Sequence, residues 1–477
     1  MALMALALLL AAAVIIGWTG FIASDDALYF TGAEHWLTHP PFAGDTHWST
    51  RFPLIWSFAA MLLLFGHHFT VFAATALVWY AVLLALTGCF VRRLAGLRAA
   101  WLAVLLVGTM PVVIANATTV SIDLLEASAL LAGAWLLGDA GSDGAGRWRG
   151  VLAGLCFGVA ILGRETAILS LVSLVPLFLI GRPVRRDILI AAGIGVLAVL
   201  GAEALFQYAM TGLPFRRYDL AFHHDGHIDR AANLEGNFLL HPAIDPLLVL
   251  LVNDDFGLIF WTAMVAVFLA GRRFAARGIP RPLVILSAMA VADFVLVAVL
   301  VHQLVLNPRY FTVPAILAAI VTALWLDQGT ARRRWLVAGM LVAINFGFLS
   351  LSNRHPRWEE EALVMACTAH PDEPVSADPV TARRAALPLW FAGLGRAHQG
   401  AASPDGLMLV PADTVPPGPV LARYPSPPTL AGALLRDIGL ENTMPHALRR
   451  RLFAPNLDYV LIRMPRQPLL ASPAGQD

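Results

Sequence analysis

MALMALALLLAAAVIIGWTGFI (residues 1–22) is an unbroken apolar run, and it is followed at once by ASDDALYF (residues 23–30), which carries two adjacent carboxylates. About 17–25 apolar residues cross a bilayer as a helix. No basic residue precedes the run, so it reads as a retained first span rather than a cleaved signal peptide. A charged pair directly after a span lies at a membrane boundary, where charge is costly and worth a functional hypothesis.

Working outward, comparable runs occur near 70–91, 99–115, 120–138, 150–163, 165–181, 188–208, 255–271, 282–302, 310–326 and 335–351. With residues 2–22, that makes about eleven spans. The arginines test the alternation, because short cytoplasmic loops collect positive charge. With the N-terminus inside, the inner loops hold Arg92, Arg93, Arg98, Arg147, Arg149, Arg182, Arg185, Arg186, Arg272, Arg273, Arg277, Arg281, Arg332, Arg333 and Arg334. The outer loops hold Arg51, Arg164, Arg216, Arg217, Arg230 and Arg309, a split of fifteen to six.

The composition agrees: 477 residues, 58% hydrophobic and 14% charged, where a soluble domain is about a quarter charged. The net charge of +1 argues against a nucleic-acid partner. There is no lysine, which removes a lysine nucleophile or Schiff base. Cys89, Cys156 and Cys367 form neither a disulfide framework nor a metal spacing.

Three segments fall outside. The first outer loop, 23–69, includes Pro53–Phe65, an apolar stretch expected to lie along the interface as a helix. The second outer loop is 209–254. The tail, 352–477, is rich in Pro, Ala and Arg, with β-like stretches at 406–410 and 459–462, and reads as a small extracytoplasmic α/β domain beside a membrane domain of residues 1–351. No repeat of 20–50 residues is visible.

Paired carboxylates resist joint ionisation, so Asp25-Asp26 can hold a general base or a metal ligand; the plainer reading is a cap on a helix beginning near Ala27. Glu34 follows in the same loop. Arg51 precedes Pro53, Arg164-Glu165 closes a helix, and Arg309-Tyr310 opens another. Three arginines on one membrane face suit a phosphate or diphosphate, against the plainer reading of snorkelling side chains. Asp123 opens a helix, where an acid gains from the macrodipole. Asp254 lies in Asn253-Asp254-Asp255, a cap before the next span. The cluster His223-His224-Asp225-Gly226-His227-Ile228-Asp229 could hold a divalent ion but reads as a solvated loop. Gly150, Gly154 and Gly158 recur every fourth residue and let two helices approach.

From Asp25-Asp26-Ala27-Leu28-Tyr29 onward the chain resembles the GT-C superfamily of membrane glycosyltransferases (glycosyltransferase family 39-like), in particular the protein O-mannosyltransferase and lipid A aminoarabinose transferase branch. The resemblance rests on an ordered set over roughly residues 1–350. It comprises the acidic pair, Arg51-Phe52-Pro53-Leu54, Leu64-Phe65-Gly66, Asp123, Gly154 to Gly158 leading to Gly163-Arg164-Glu165-Thr166, and Arg309-Tyr310 before Pro314. Arg164 stands where the branch often has lysine, and the tail matches nothing assignable. The resemblance implies an α-helical polytopic fold and an inverting transfer of a sugar from a polyprenyl-phosphate carrier to a lipid, protein or polysaccharide acceptor. It implies Asp25 as catalytic base with Asp26 and Glu34 in support. Arg51, Arg164, Arg309 and Tyr310 would bind the donor phosphate, with Asp123, Tyr29 and Asp254 as secondary candidates. No cofactor is expected and a divalent metal is not. The implied location is the bacterial inner membrane, with the site facing the periplasm. A flippase for a lipid-linked sugar is the alternative, and it predicts ionisable groups near mid-bilayer, where Glu203 and Asp293 are the main cases. An O-antigen ligase or polymerase is the third reading, but it would place its acids in a large late loop.

Overall fold

The computed structural model describes residues 2–140, 144–223, 244–299, 307–394, 406–414 and 418–464. Every apolar run read as a span is helical: α1 (Ala2–Ile16), α4 (Thr70–Ala95), α5 (Leu97–Thr109), α7 (Asp123–Gly138), α8 (Gly144–Gly163), α11 (Arg186–Thr211), α14 (Ile259–Arg277), α15 (Arg281–Val299), α16 (Thr312–Asp327) and α17 (Ala331–Leu351). The run at 165–181 is divided between α9 (Ala167–Leu171) and α10 (Leu174–Ile180). Among the described residues, five helical stretches are long and apolar enough to cross a membrane singly: α4, α11, α15, Pro308–Asp327 and α17. A sixth is α5 with α6 (Pro111–Thr118), which bend by 65°. The bend has a chemical cause. Pro111 supplies no N–H and pushes the preceding Met110 into an extended conformation, so the run read as one straight helix breaks there.

The outer segments carry structure of their own. The first contains α2 (Asp25–Thr38) and α3 (Phe52–Phe65), the latter matching the expected interfacial stretch, with Pro in its first turn where a missing N–H costs nothing. The second contains α12 (Arg216–His223) and α13 (Asp245–Val252). The His224–Asp229 part of the metal-like cluster lies outside the described residues.

The chain divides into two compact units: Met1–Gly20 with Leu28–Leu349, and Phe21–Ala27 with Ser350–Asp477. The division passes through α2, whose first three residues group with the second unit. In the first unit, α8 lies along α11 with almost no side chain between them. A Cβ on Gly150 would fall 2.6 Å from the Ile188 carbonyl, one on Gly154 would overlap the Ala192 carbonyl, and one on Gly158 would meet Val199 at 2.6 Å. The glycine ladder therefore sets how closely these helices approach.

The second unit builds α18 (Trp358–Ala369), α19 (Pro379–Phe391), α20 (Leu430–Asp437) and α21 (His446–Phe453) around a four-stranded sheet ordered β1-β2-β4-β3. Its strands are β1 (Val375–Ser376), β2 (Leu407–Pro411), β3 (Val420–Tyr424) and β4 (Tyr459–Arg463). The stretches read as β-like pair antiparallel as β2 and β4, with Leu409 opposite Leu461. Leu407, Leu409, Leu461, Trp358 and Cys367 fill its core. Arg357 Nε donates to the Ile22 carbonyl at 2.8 Å and so holds the Phe21–Ala27 segment to this unit.

The helix contact is testable. Gly154→Ala forces backbone apart and should destabilise the protein by about 1–3 kcal/mol. Gly201→Ala, on the same helix pair but with open space where its Cβ would go, serves as control. Thermal unfolding in detergent reads the difference, and equal midpoints for the two variants would refute the close-packing account.

Candidate functional site

The acidic pair divides its labour. Asp26 is fully buried, and its carboxylate accepts backbone N–H groups from Ile22 (2.8 Å), Ser24 (2.8 Å) and Ala27 (3.0 Å). Those bonds hold a turn in which Ala23 sits at φ +52°, a left-handed conformation unusual for a residue with a Cβ. Burial pushes the Asp26 carboxyl up to about 6, against the three N–H donors and with the charge of Asp25 adding to the rise. Asp25, the first residue of α2, is half-buried and leaves the turn's N–H groups to its neighbour.

In the membrane unit two charged clusters form at helix ends. The first runs from Tyr29 to Arg217. Arg51 precedes α3 and donates one guanidinium nitrogen to the Tyr29 hydroxyl and another to His47 Nε2 at 2.7 Å. Because Arg51 can only donate, this bond needs His47 Nε2 as its acceptor. His47 Nε2 stands 4.0 Å from Glu165 Oε2, and Glu165 Oε1 accepts from Arg217 Nε (2.9 Å) and from a terminal Arg217 nitrogen (2.7 Å). Arg217 is wholly buried and also donates to the carbonyls of Ile161 (2.9 Å) and Thr50 (3.4 Å). One α12 side chain thus ties together the α8–α9 junction and the turn before α3.

The second cluster gathers where α8 ends and α7 and α16 begin. Arg164, 5% exposed, donates to Asp123 Oδ1 and, at 3.3 Å, to Glu126 Oε2. Its guanidinium lies 4.7 Å from the centre of the Tyr310 ring. Arg309 and Asp293 line the same cleft. Arg309 is carried by a 3₁₀ turn (Pro308–Phe311) that Asn307 caps by accepting the Arg309 N–H at 3.1 Å. The fields of Arg164, Arg309 and Arg51 all reach Asp123. Asp123 is 2% exposed, and its Oδ2 has no hydrogen-bond partner among the described residues.

Of the residues singled out in the sequence, then, Arg51, Asp123, Arg164, Arg309, Tyr310 and Tyr29 enter these clusters. Glu34 instead faces His67 at 3.8 Å, and Asp254 opens a short 3₁₀ turn beside its capping residue Asn253. His47, Glu126 and Arg217 were not singled out. Glu126 was the readable one, being one helical turn after Asp123 and so on the same face. Arg217 looked like any other outer-loop arginine, and its burial depends on contacts distant in sequence. Asp293, noted as an acid inside a span, lines the same cleft as Arg164 and Arg309. Among the described residues no group of three or more His, Cys, Asp or Glu could hold a metal ion.

Residues 52–208 match the family model described as dolichyl-phosphate-mannose-protein mannosyltransferase, about a third of the chain. No curated protein sequence matches the chain. Among solved structures, ArnT from Cupriavidus metallidurans bound to undecaprenyl phosphate superposes with a TM-score of 0.51 at 16% identity, covering 81% of this chain and 70% of that one. The same protein in the apo state gives 0.51 at 18%, covering 82% and 75%. The Archaeoglobus fulgidus oligosaccharyltransferase tethered with an acceptor peptide gives 0.50 at 16%, covering 77% of this chain and 57% of that one. At such identities the likeness is one of fold. The chain is a multi-pass membrane protein that resembles the GT-C glycosyltransferases of the mannosyltransferase and ArnT type.

Two outcomes follow from the site's electrostatics. Between about pH 4 and 6 the folded Asp26 holds a proton that the unfolded chain has released, so stability falls as pH rises through that window and levels off above it. Asp26→Asn cannot titrate. Its stability relative to the parent should therefore rise by on the order of 3 kcal/mol from pH 4 to 7, as read by unfolding in detergent. A difference independent of pH would refute the raised carboxyl. Separately, Arg217→Met strands Glu165 and should cost about 3–5 kcal/mol, while Arg217→Met with Glu165→Gln should recover a substantial part. No recovery in the double variant would mean that the pair is not the reason for the loss.

Proposed function

We propose that this chain is an inverting glycosyltransferase that moves a sugar from a polyprenyl-phosphate carrier to an acceptor on the extracytoplasmic side of a bacterial inner membrane. The observation that carries the reading is the grouping of Arg164, Arg309 and Tyr310 with Asp123 in one cleft at a helix end, where the field of Arg51 also reaches Asp123. Such a group of fixed guanidinium ions is matched to a phosphate that gains negative charge as a glycosidic bond breaks. Carriers of this kind are amphipathic and enter from the bilayer, so the phosphate must be met at a helix end.

In this scheme Asp25 takes the proton of an acceptor hydroxyl or amine as that atom attacks the anomeric carbon. The bond from that carbon to the phosphate oxygen breaks, its electrons pass to the polyprenyl phosphate, and the anomeric configuration inverts. Asp26 holds the turn that presents Asp25. Arg164 is already engaged by Asp123 and Glu126, so its contribution is to fix the Tyr310 ring and the charge around the phosphate. Arg51 and Arg309 make the direct contacts, with the Tyr310 hydroxyl as a further donor. Tyr29 and His47 set the orientation of Arg51, since both accept from it. The reaction as drawn needs no metal, and the tail, residues 352–477, is assigned to the extracytoplasmic side with the site.

Mass spectrometry of polar lipids and envelope glycans from intact, deleted and Asp25→Asn strains tests this. The expected outcome is accumulation of a polyprenyl-phosphate sugar and loss of that sugar from one glycan in both defective strains. In purified form Asp25→Asn should lower turnover by about 10²–10⁴-fold while the protein stays folded. Arg51→Ala and Arg309→Ala should raise the donor KM. Normal turnover by well-folded Asp25→Asn would remove the base and move a transport role for a lipid-linked sugar ahead.

A further inference from the structure

The opposite end of the membrane unit carries a feature that the catalytic scheme does not use. Helices α1, α4 and α5 leave between them an open groove of about 450 Å³. Leu3, Leu6 and Leu10 form one wall, Ala81 and Ala85 the floor, and Trp101 the other wall. Its lining is apolar except for Cys89 and, at the end, Arg92.

Arg92 differs from its neighbours. Arg93 pairs with Asp139 at 3.6 Å and Arg98 with Asp327 at 2.5 Å. Among the described residues no carboxylate pairs with Arg92, whose side chain is exposed at the mouth of the groove. This end is remote from the acid and arginine cluster: α7 begins at Asp123 in that cluster and runs 16 residues before Asp139 meets Arg93. At 1.5 Å per residue the two lie about 24 Å apart along the helix. The groove is therefore separate from the proposed donor site.

We propose that this groove is a binding site for one anionic phospholipid, its phosphate on Arg92 and one acyl chain along the Ala81–Ala85 floor between α1 and α5. Inside a bilayer an acyl chain gains little by leaving other lipid, so an apolar groove alone selects nothing. Selection comes from the guanidinium, which pairs with a phosphate in two-pronged geometry and has no carboxylate counter-ion among the described residues. The small floor residues admit a chain that leucines at those positions would exclude, and Trp101 suits the level of the headgroups. The arginine bias assigns this end to the cytoplasm, so the lipid is drawn from the inner leaflet. The site rests on the membrane reading alone and stands whether or not the transferase proposal does.

Native mass spectrometry of the full chain in detergent, with phosphatidylglycerol or phosphatidylcholine of the same chains added, tests it. The parent should retain phosphatidylglycerol about fivefold better. Arg92→Gln should erase that preference, Arg93→Gln should keep it, and Ala85→Phe should remove retention of both lipids. Because Cys89 lines the groove and is exposed, phosphatidylglycerol should also slow its alkylation in the parent and not in Arg92→Gln. Equal retention of the two lipids by the parent, a preserved preference in Arg92→Gln, or Cys89 labelling indifferent to phosphatidylglycerol would each overturn the proposal.

Discussion

A guanidinium cannot give up its proton, and at Arg217 it is shut away from solvent entirely. The surroundings must therefore supply a negative partner and carbonyl acceptors, or the chain would not bury it. Glu165 and the Ile161 carbonyl at the end of α8 do so, together with the Thr50 carbonyl before α3. Satisfying one ion thus fixes α12 against the end of α8 and against the turn before α3. Arg51 then inherits its position, because Thr50 is its neighbour and His47, which accepts from it, faces the other oxygen of Glu165. Arg164 repeats the pattern one residue before Glu165, facing Asp123 and Glu126. The Arg164-Glu165 dipeptide is accordingly the joint between the two clusters: one residue holds acids of α7, the other holds an arginine of α12.

This arrangement explains why the outer end of the bundle can be densely charged without being unstable. Buried Arg164 and Arg217 each have a carboxylate, and the interior of low dielectric strengthens those pairs while making any unpaired member expensive. Asp123 lies within the field of Arg51, Arg164 and Arg309 alike. A ligand phosphate arriving there meets a field already fixed by the fold, which is the condition under which electrostatic stabilisation of a leaving group works best.

Much of this was legible in the chain. The apolar runs marked each helix that, among the described residues, is long and apolar enough to cross a membrane, because hydropathy follows from the solvent rather than from tertiary contacts. The glycine ladder of α8 was legible for the same reason: a four-residue period of small residues has one main use in lipid. Two strands of the second unit, β2 and β4, showed as apolar stretches because they occupy the middle of the sheet. β1, with two residues, and β3, with three of its five residues exposed, carry no such pattern and were not read. The bend at Pro111 was readable in principle from the proline, but hydropathy averages over it. The pairing of charges was not readable at all. Whether an outer arginine snorkels or is buried against a glutamate fifty-two residues away depends on packing that periodicity does not encode.

The acidic pair shows how two identical neighbours acquire different chemistry. Asp26 is drawn into a turn by three N–H groups, and burial raises its proton affinity; its geometry is spent on the backbone. A base must be able to approach an acceptor, and a carboxylate that accepts three backbone N–H groups has little lone-pair capacity left. In the proposed reaction the buried acid therefore fixes the loop, and Asp25 takes the proton. Ala23, held at a positive φ just before the pair, is what allows the chain to turn back far enough for Ile22 N–H to reach Asp26. Strain of this kind persists only where the bonds around it over-determine the turn, and here those bonds converge on Asp26.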